Sequence, residues 1–356
     1  MGSRKRNHYI PRFLLNKFAS RSQGPTFWIW QIRADGATAE VSTRDAAVSR
    51  MFYGARELGI ESKYDLQENI ISPIISAIIS GESPSSHHEK LRVFLYHLSV
   101  RTRAARGQLA RAFHDMMSLI ESVGSTPKYK TLFIASLNNN FYEHLFSAMR
   151  TYPPDVQSIL RNTIIHNPML VDDLKKKMIC YLNSSHFDDA YQKFYRDATL
   201  HLDFNRVSVN GHISGLERLL TTNMVPELFK PSTWHVITSD DELFILSDAG
   251  VVAINNDNVP GPLYAHGNKW KEAYLPINPH TMLVGMKEPG EPTLSIDEIN
   301  RIGASLSYDA IYSAVRYDRA VDIFELIGGG KSIVNNEKML SILDNVLENM
   351  ARPRVN

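Results

Sequence analysis

Thr26-Phe27-Trp28-Ile29-Trp30-Gln31-Ile32-Arg33-Ala34-Asp35-Gly36-Ala37-Thr38-Ala39-Glu40-Val41-Ser42-Thr43 reads as two strands about one turn. Phe27, Trp28, Ile29, Trp30 and Ile32 are strand formers, Asp35-Gly36 is a hairpin turn pair, and Ala39 to Thr43 returns along the first strand. Outward from this hairpin the pattern changes. Between about Lys63 and Leu220 apolar residues recur at three and four, and Pro and Gly are sparse, so a helical section is expected. Leu91, Leu95, Leu98, Thr102, Ala105, Leu109, Ala112 and Met116 mark the buried stripe of one helix of about 30 residues. Ser86 and Glu89 have capping-box spacing at its start, and Arg92, Arg103 and Arg106 share one flank. From Trp234 the chain is again β-rich in short runs: WHVITSD, ELFILSD, VVAIN, AYLPI and TMLVGM. Two helices close the chain, Ser295 to Arg316 behind a Ser295/Glu298 capping box and Glu337 to Met350. Pairing of the hairpin with the later strands across the helical section predicts an α+β fold with a small, mainly antiparallel sheet. It reads as one unit, with an N-terminal motif and hairpin over 1–60, helices over 61–228, strands over 229–290 and helices over 291–356. A division into two domains near residue 228 is the alternative.

The chain has 356 residues, 43% of them hydrophobic, enough for a substantial core. Lys and Arg number 39 against 38 acids, a formal charge of +1, so nucleic acid would have to be met by a local basic patch. The single cysteine, Cys180, excludes an internal disulfide and a thiolate metal cluster, and predicts a cytoplasmic protein. No apolar run approaches the roughly 20 residues of a membrane span. The best, Ile70 to Ile79, is short and interrupted by Pro73, so no membrane is expected. Oligomeric state is not legible.

The opening Asn7-His8-Tyr9-Ile10-Pro11-Arg12-Phe13-Leu14-Leu15-Asn16-Lys17-Phe18 resembles the signature of a bacterial family of unknown function whose members begin with a His-Tyr-Ile-Pro-Arg-Phe-type element. Further points of likeness follow in order: the strand-turn-strand Phe27 to Val41, the pair Phe52-Tyr53, Glu61 and Glu68 at a helix start, and Arg101 with Arg103. Trp234 with Ile237-Thr238-Ser239-Asp240, and Leu275-Pro276-Ile277-Asn278-Pro279, complete the resemblance to about residue 315. Two positions depart from the family pattern: Asp241-Glu242 stands where Asn-Pro is usual, and Asn278 where Ser is usual. The resemblance implies a bacterial origin and a set of candidate positions, without a mechanism.

His8 and Arg12 are the first candidates, with Tyr9 between them. An imidazole can serve as general base or metal ligand near neutral pH, and a guanidinium suits phosphate. The competing reading is that they clamp the N-terminus onto the core. The second group is Thr238-Ser239-Asp240-Asp241-Glu242 between two apolar runs. Acids at strand ends can hold Mg²⁺ or Mn²⁺, which prefer oxygen ligands and orient a water for in-line attack. Alternation puts Asp240 and Glu242 on one side, so Glu61, Glu68 or His8 must complete the shell. An ordinary turn is the competing reading. The third candidate, Arg161 with His166, has the Arg-His spacing of one class of helical ribonucleases, a spacing that arises about as often by chance. Arg101, Arg103, Arg106 and Arg111 form a basic helix, more commonly a solvated face than a phosphate contact. His87-His88-Glu89 diverge on a helix, and Gly328-Gly329-Gly330-Lys331-Ser332 lacks the first glycine of a phosphate loop.

Imidazole, guanidinium and carboxylate are the groups phosphoryl chemistry uses. The leading expectation is therefore a metal-assisted phosphodiester hydrolase acting on nucleic acid, as in phage defence, with His8, Arg12 and Asp240 catalytic. The alternative is a non-catalytic binding or interaction module in which the same residues form a structural network. The two differ in whether His8 and Asp240 converge.

Overall fold

The Asp35-Gly36 hairpin forms, with Gly36 at a φ of 80° that a side chain would strain. The computed structural model describes residues 6–54, 59–124, 126–201, 203–222, 225, 229–241, 243–316, 321–328 and 336–352. The chain runs through β1 (Arg6–His8), α1 (Arg12–Lys17), β2 (Arg21–Gln23), β3 (Thr26–Arg33), β4 (Thr38–Ser42) and β5 (Val48–Arg50). Helices follow: α2 (Ile60–Ile79), α3 (His88–Val100), α4 (Arg103–Val123), α5 (Pro127–Met149), α6 (Pro154–Ile165), α7 (Pro168–Leu182), α8 (Ser185–His201) and α9 (Phe204–Thr222). The rest comprises β6 (Thr233–Thr238), β7 (Leu246–Ser247), β8 (Val252–Asn255), β9 (Pro260–Pro262), α10 (Leu263–His266), β10 (Trp270–Asn278), β11 (Thr281–Met286), α11 (Ile296–Leu306), β12 (Ala310–Ser313), α12 (Val321–Phe324) and α13 (Asn336–Ala351).

Two compact units result: Met1–Ala110 with Asn205–Ile333, and Arg111–Phe204 with Val334–Asn356. The first is α+β. One of its sheets has the order β2-β3-β12-β7, with β4 on the other edge of β3, and a second has the order β6-β11-β10-β8-β9. β12 is the strand that ties the N-terminal hairpin to the later part of the chain: Ile311 lies opposite Ile32 of β3 and Ser247 of β7. β1 and β5 make a separate antiparallel ribbon. The core gathers Tyr9, Ile10, Leu14, Leu15 and Phe18 with Ile71, Ile75 and Ile78 of α2 and Leu91, Phe94, Leu95 and Leu98 of α3. Pro11, with φ fixed near the helical value, starts α1 and turns the chain so that Leu14 and Leu15 face inward. In the second unit Phe141, Met149, Ile164 and Val171 form the core of a helical bundle. There Asp344 of α13 accepts from Lys128 Nζ at 2.6 Å and Tyr129 Oη at 2.8 Å.

The structure corrects four sequence expectations. The long helix is two helices, because Thr102 Oγ accepts the Ala105 N–H at 3.1 Å and caps the start of α4. Arg92 therefore leaves the flank of Arg103 and Arg106 and bonds Glu89 at 2.7 Å. Glu89 is thus occupied, and Ser86 makes no cap: the residues Pro84–His87 form a 3₁₀ turn with no capping side-chain bond. The helix from Ser295 does have its capping box but ends at Leu306, and β12 follows. The reason is Asp248, 0% exposed, whose carboxylate accepts the N–H groups of Tyr308, Asp309 and Ala310 at 2.7, 2.7 and 3.1 Å. Those donors are unavailable to a helix. Pro73, which interrupts the apolar run of residues 70–79, lies inside α2. The stretch 329–332 of the glycine-rich segment lies outside the described residues. Among the described residues no helix is long and apolar enough to cross a membrane.

Candidate functional site

His8 ends β1, opposite Val48, and its ring is half-buried. Nε2 lies 3.2 Å from the Thr43 carbonyl, which can only accept, so Nε2 carries the proton. Burial lowers the imidazole pKa below 6.5; the Thr43 carbonyl and the nearby Glu68 oppose this, while Arg12 and Arg6 add to it. The ring is therefore neutral at pH 7. The His8 carbonyl accepts from Tyr53 Oη at 2.7 Å, and Tyr9 Oη lies 3.3 Å from Tyr312 Oη. Burial pushes the Tyr9 and Tyr53 hydroxyls up to about 12, so both stay protonated. Arg12 is exposed at the start of α1.

From Tyr9 a file of rings leads inward. Tyr9 to Phe52 is 5.5 Å between centroids, Phe52 to Tyr53 5.3 Å, Tyr53 to Tyr64 5.3 Å and Tyr64 to His97 5.9 Å. Arg101 closes this file. It follows α3, is 2% exposed, stacks its guanidinium 4.6 Å over Tyr64, and donates from Nη2 to Glu68 Oε1 at 2.6 Å. Burial first and then the Arg101 charge hold His97 at a pKa of about 4, so it too is neutral. Tyr64 Oη, His97 Nδ1 and Arg101 Nε are buried without a hydrogen-bond partner.

A helix start, a hairpin, a Phe-Tyr pair, a glutamate and an arginine are thus drawn into one unit. The chain belongs to DUF4238, a family of proteins of unknown function. The family model matches residues 6–316. No curated protein and no solved structure matches the chain.

Within the family segment two more arginines start α4. Arg103 donates from Nη1 to Asp309 Oδ2 at 2.9 Å and lies 5.6 Å over the Tyr308 ring. Asp248 adds negative potential there, although burial pushes its carboxyl up to about 6 against the three N–H donors. Arg106 stacks 3.7 Å over Phe52, donates to the Phe52 carbonyl, and reaches His212 Nδ1 at 3.3 Å from Nε. His212 Nε2 lies 2.8 Å from the Val100 carbonyl, so His212 is a neutral ring that accepts through Nδ1. Burial, then Arg106, lowers its pKa to about 4.

The remaining expected residues are placed as follows. Glu68 acts electrostatically on His8 and bonds Arg101, so these three come together. Glu61, in the first turn of α2, acts on Tyr53. Thr238 pairs with Thr281 at the end of β6, and the Ser239 carbonyl accepts from His280 Nδ1 at 2.8 Å. Asp240 and Asp241 are exposed in the turn beyond, and Glu242 lies outside the described residues. No hydrogen bond, ion pair or electrostatic interaction among the described residues links Asp240 to His8. Arg161 and His166 are in the second unit. Arg161 lies 5.3 Å over Phe146, whereas His166 Nδ1 bonds the Asn162 carbonyl of its own helix at 2.8 Å. Among the described residues no group of three or more His, Cys, Asp or Glu side chains can hold a metal ion. Sequence reasoning missed Tyr64, and it met His97 and His212 only as chance-level Arg-His spacings with Arg92 and Arg206, not as members of this network. The four-residue step from His97 to Arg101 was a usable signal; the pairing of Arg106 with His212, across 106 positions, had none.

Proposed function

We propose that the chain is a non-catalytic binding or interaction module, in which the polar residues that carry the family resemblance form the structural network of the first unit. The observation that supports this is Arg101. A guanidinium that recognises substrate must be reachable by it, whereas Arg101 is 2% exposed, stacked on Tyr64 and occupied by Glu68. Its neighbours Tyr53, Tyr64 and His97 are buried and neutral, a composition that fixes one packing. His8 and Tyr9 anchor the N-terminal segment to the same network.

A second reading, a phosphodiester hydrolase acting on nucleic acid with a divalent metal, is favoured by His8. It is neutral at pH 7, its tautomer is set by the Thr43 carbonyl, and Glu68 lies in electrostatic reach, which suits a general base. The test is cleavage of labelled single-stranded and duplex DNA and RNA with Mg²⁺ or Mn²⁺, comparing the full chain with His8→Ala and Glu68→Gln. The module reading expects no cleavage by the full chain and lowered melting temperatures in both variants. Metal-dependent cleavage that disappears in a folded His8→Ala overturns it in favour of the hydrolase.

A further inference from the structure

Arg106 is a half-buried cation with no carboxylate partner among the described residues. The charges that act on it are those of Tyr53, which is protonated, and Arg103, which repels it. Its hydrogen bonds go to the Phe52 carbonyl and to neutral His212, neither of which supplies a counter-charge. Asp309 and Asp248, the acids nearby, act on Arg103 instead. Arg101 is balanced by Glu68. A charge removed from water without a counter-ion is costly, and folded proteins normally pair it.

The contacts of Arg106 fix the direction from which a counter-ion would meet it. Nε and Nη2 are anchored at the back by His212 and Phe52, and the guanidinium plane lies against the Phe52 ring, so its orientation is fixed. Among the described residues Nη1 has no hydrogen-bond partner, and it is not one of the buried polar atoms left without one. Arg106 stands in the first turn of α4, where the helix presents its positive end and no acid is present. Arg103, one turn earlier and 40% exposed, adds a second cation on the same helix face.

We propose that Arg106, supported by Arg103 and the start of α4, binds an oxyanion of the phosphate-group class. This goes beyond the module reading and does not depend on it, since a binding protein and an enzyme can both hold a phosphate. The phosphate group can be free or part of a nucleic-acid backbone, and two probes separate these sources: inorganic phosphate and a short single-stranded oligonucleotide. Both are titrated into the full chain at low salt, read by calorimetry and by the shift in melting temperature against sodium chloride of equal ionic strength. Wild type is expected to bind at least one probe and to melt higher with it. Arg106→Lys keeps the charge but loses the planar fork, so binding should weaken about tenfold, and Arg106→Gln should abolish it. Binding of the oligonucleotide alone assigns the site to a nucleic-acid backbone. Unchanged binding in Arg106→Gln overturns the proposal, as does a wild-type response to both probes no larger than that to chloride. If Arg106→Gln does not fold, Arg106→Lys and the chloride comparison still decide.

Discussion

Replacing Glu68 by Gln removes the carboxylate that balances Arg101 while keeping the shape of the side chain. Arg101 is 2% exposed and cannot turn to water, so its charge stays buried beside a neutral amide, which can still accept one hydrogen bond but no longer balances the charge as the carboxylate at 2.6 Å does. Losing one partner of a buried pair costs about 3–5 kcal/mol. Because the Glu68 side chain is itself 22% exposed, solvent screens part of the interaction and the lower end, about 3 kcal/mol, is expected. For a unit of this size that is roughly 6–12 °C in melting temperature. Arg101→Met leaves Glu68 with access to water, so it should cost less than Glu68→Gln despite losing the stacking on Tyr64. In the double variant the buried charge is gone, and its destabilisation should fall short of the sum of the two singles by about 2 kcal/mol. Urea unfolding followed by tryptophan fluorescence reads this directly, since Trp28, Trp30, Trp234 and Trp270 all belong to the first unit. A Glu68→Gln variant within about 0.5 kcal/mol of wild type, or strict additivity in the double variant, would refute the reasoning that this pair holds the network together.

The pH response follows from groups whose ionisation differs between folded and unfolded chains. His97 and His212 are held near 4 when folded against 6.5 when free, so the unfolded chain binds more protons between those values; stability is full above pH 6.5 and falls as pH drops through about 4. His97→Phe should lessen that acid sensitivity, measured as the slope of urea midpoint against pH, and an unaltered slope would contradict it. Asp248 has the opposite sign: its carboxyl is raised from 3.8 to about 6, so its contribution is greatest below 3.8 and is lost as pH rises through about 6. Asp248→Asn should remove that opposing slope and also destabilise at pH 7 by about 1–3 kcal/mol, because an amide cannot accept all three N–H groups of residues 308–310. Gly107→Ala should cost about 1–3 kcal/mol, since a methyl there would sit 2.1 Å from the Tyr308 ring; Tyr308→Ala should restore most of the loss in a double-variant melt. Asp240→Asn, in an exposed turn, should leave stability within about 0.5 kcal/mol of wild type by urea unfolding.

What the sequence reveals depends on how local the deciding interaction is. The hairpin is legible because Asp35-Gly36 fixes the turn within four residues, and the Ser295/Glu298 box because both bonds lie within one helical turn. The break at Arg101-Thr102 is hidden by a stripe that continues in phase through Thr102, whose hydroxyl serves as a cap once the chain bends. β12 is hidden for a different reason. Ile311 and Tyr312 become strand because β3, β7 and Asp248 take up their backbone groups, partners from distant parts of the sequence. The site divides the same way. His8, Tyr9, Glu68, Arg101 and Arg103 stand out by residue type and by resemblance, and the fold does bring His8, Glu68 and Arg101 together. No pattern in the sequence says that the Thr238-Ser239-Asp240 turn follows β6 of a five-stranded sheet while His8 lies on the separate β1-β5 ribbon, or that Arg106 finds a histidine 106 positions away.

Three arginines within six positions meet three different fates, and the helix break is the cause. Arg101 falls in the gap between α3 and α4, outside helical geometry, and pairs with Glu68 of α2. Arg103 opens α4 and pairs with Asp309, beside Asp248, where the chain enters β12. Arg106, one turn later, is turned back on Phe52 and His212, where the acceptors are neutral. The cluster thus separates into a closed and balanced part, Arg101 with Glu68, and an open part in which Arg106, fixed in direction but unbalanced, follows the 40% exposed Arg103. The first is what a scaffold needs, because a satisfied buried pair specifies one packing and offers nothing to a ligand. The second is what a ligand needs, because the guanidinium is already oriented and its desolvation already incurred in folding, so an incoming oxyanion gains the full pairing energy. Removal of the balanced charge should therefore be read in the stability of the unit, and removal of the unbalanced one in binding. A variant pair that reversed this, with Glu68→Gln abolishing phosphate binding at unchanged stability, would require Arg101 to be the ligand-facing group.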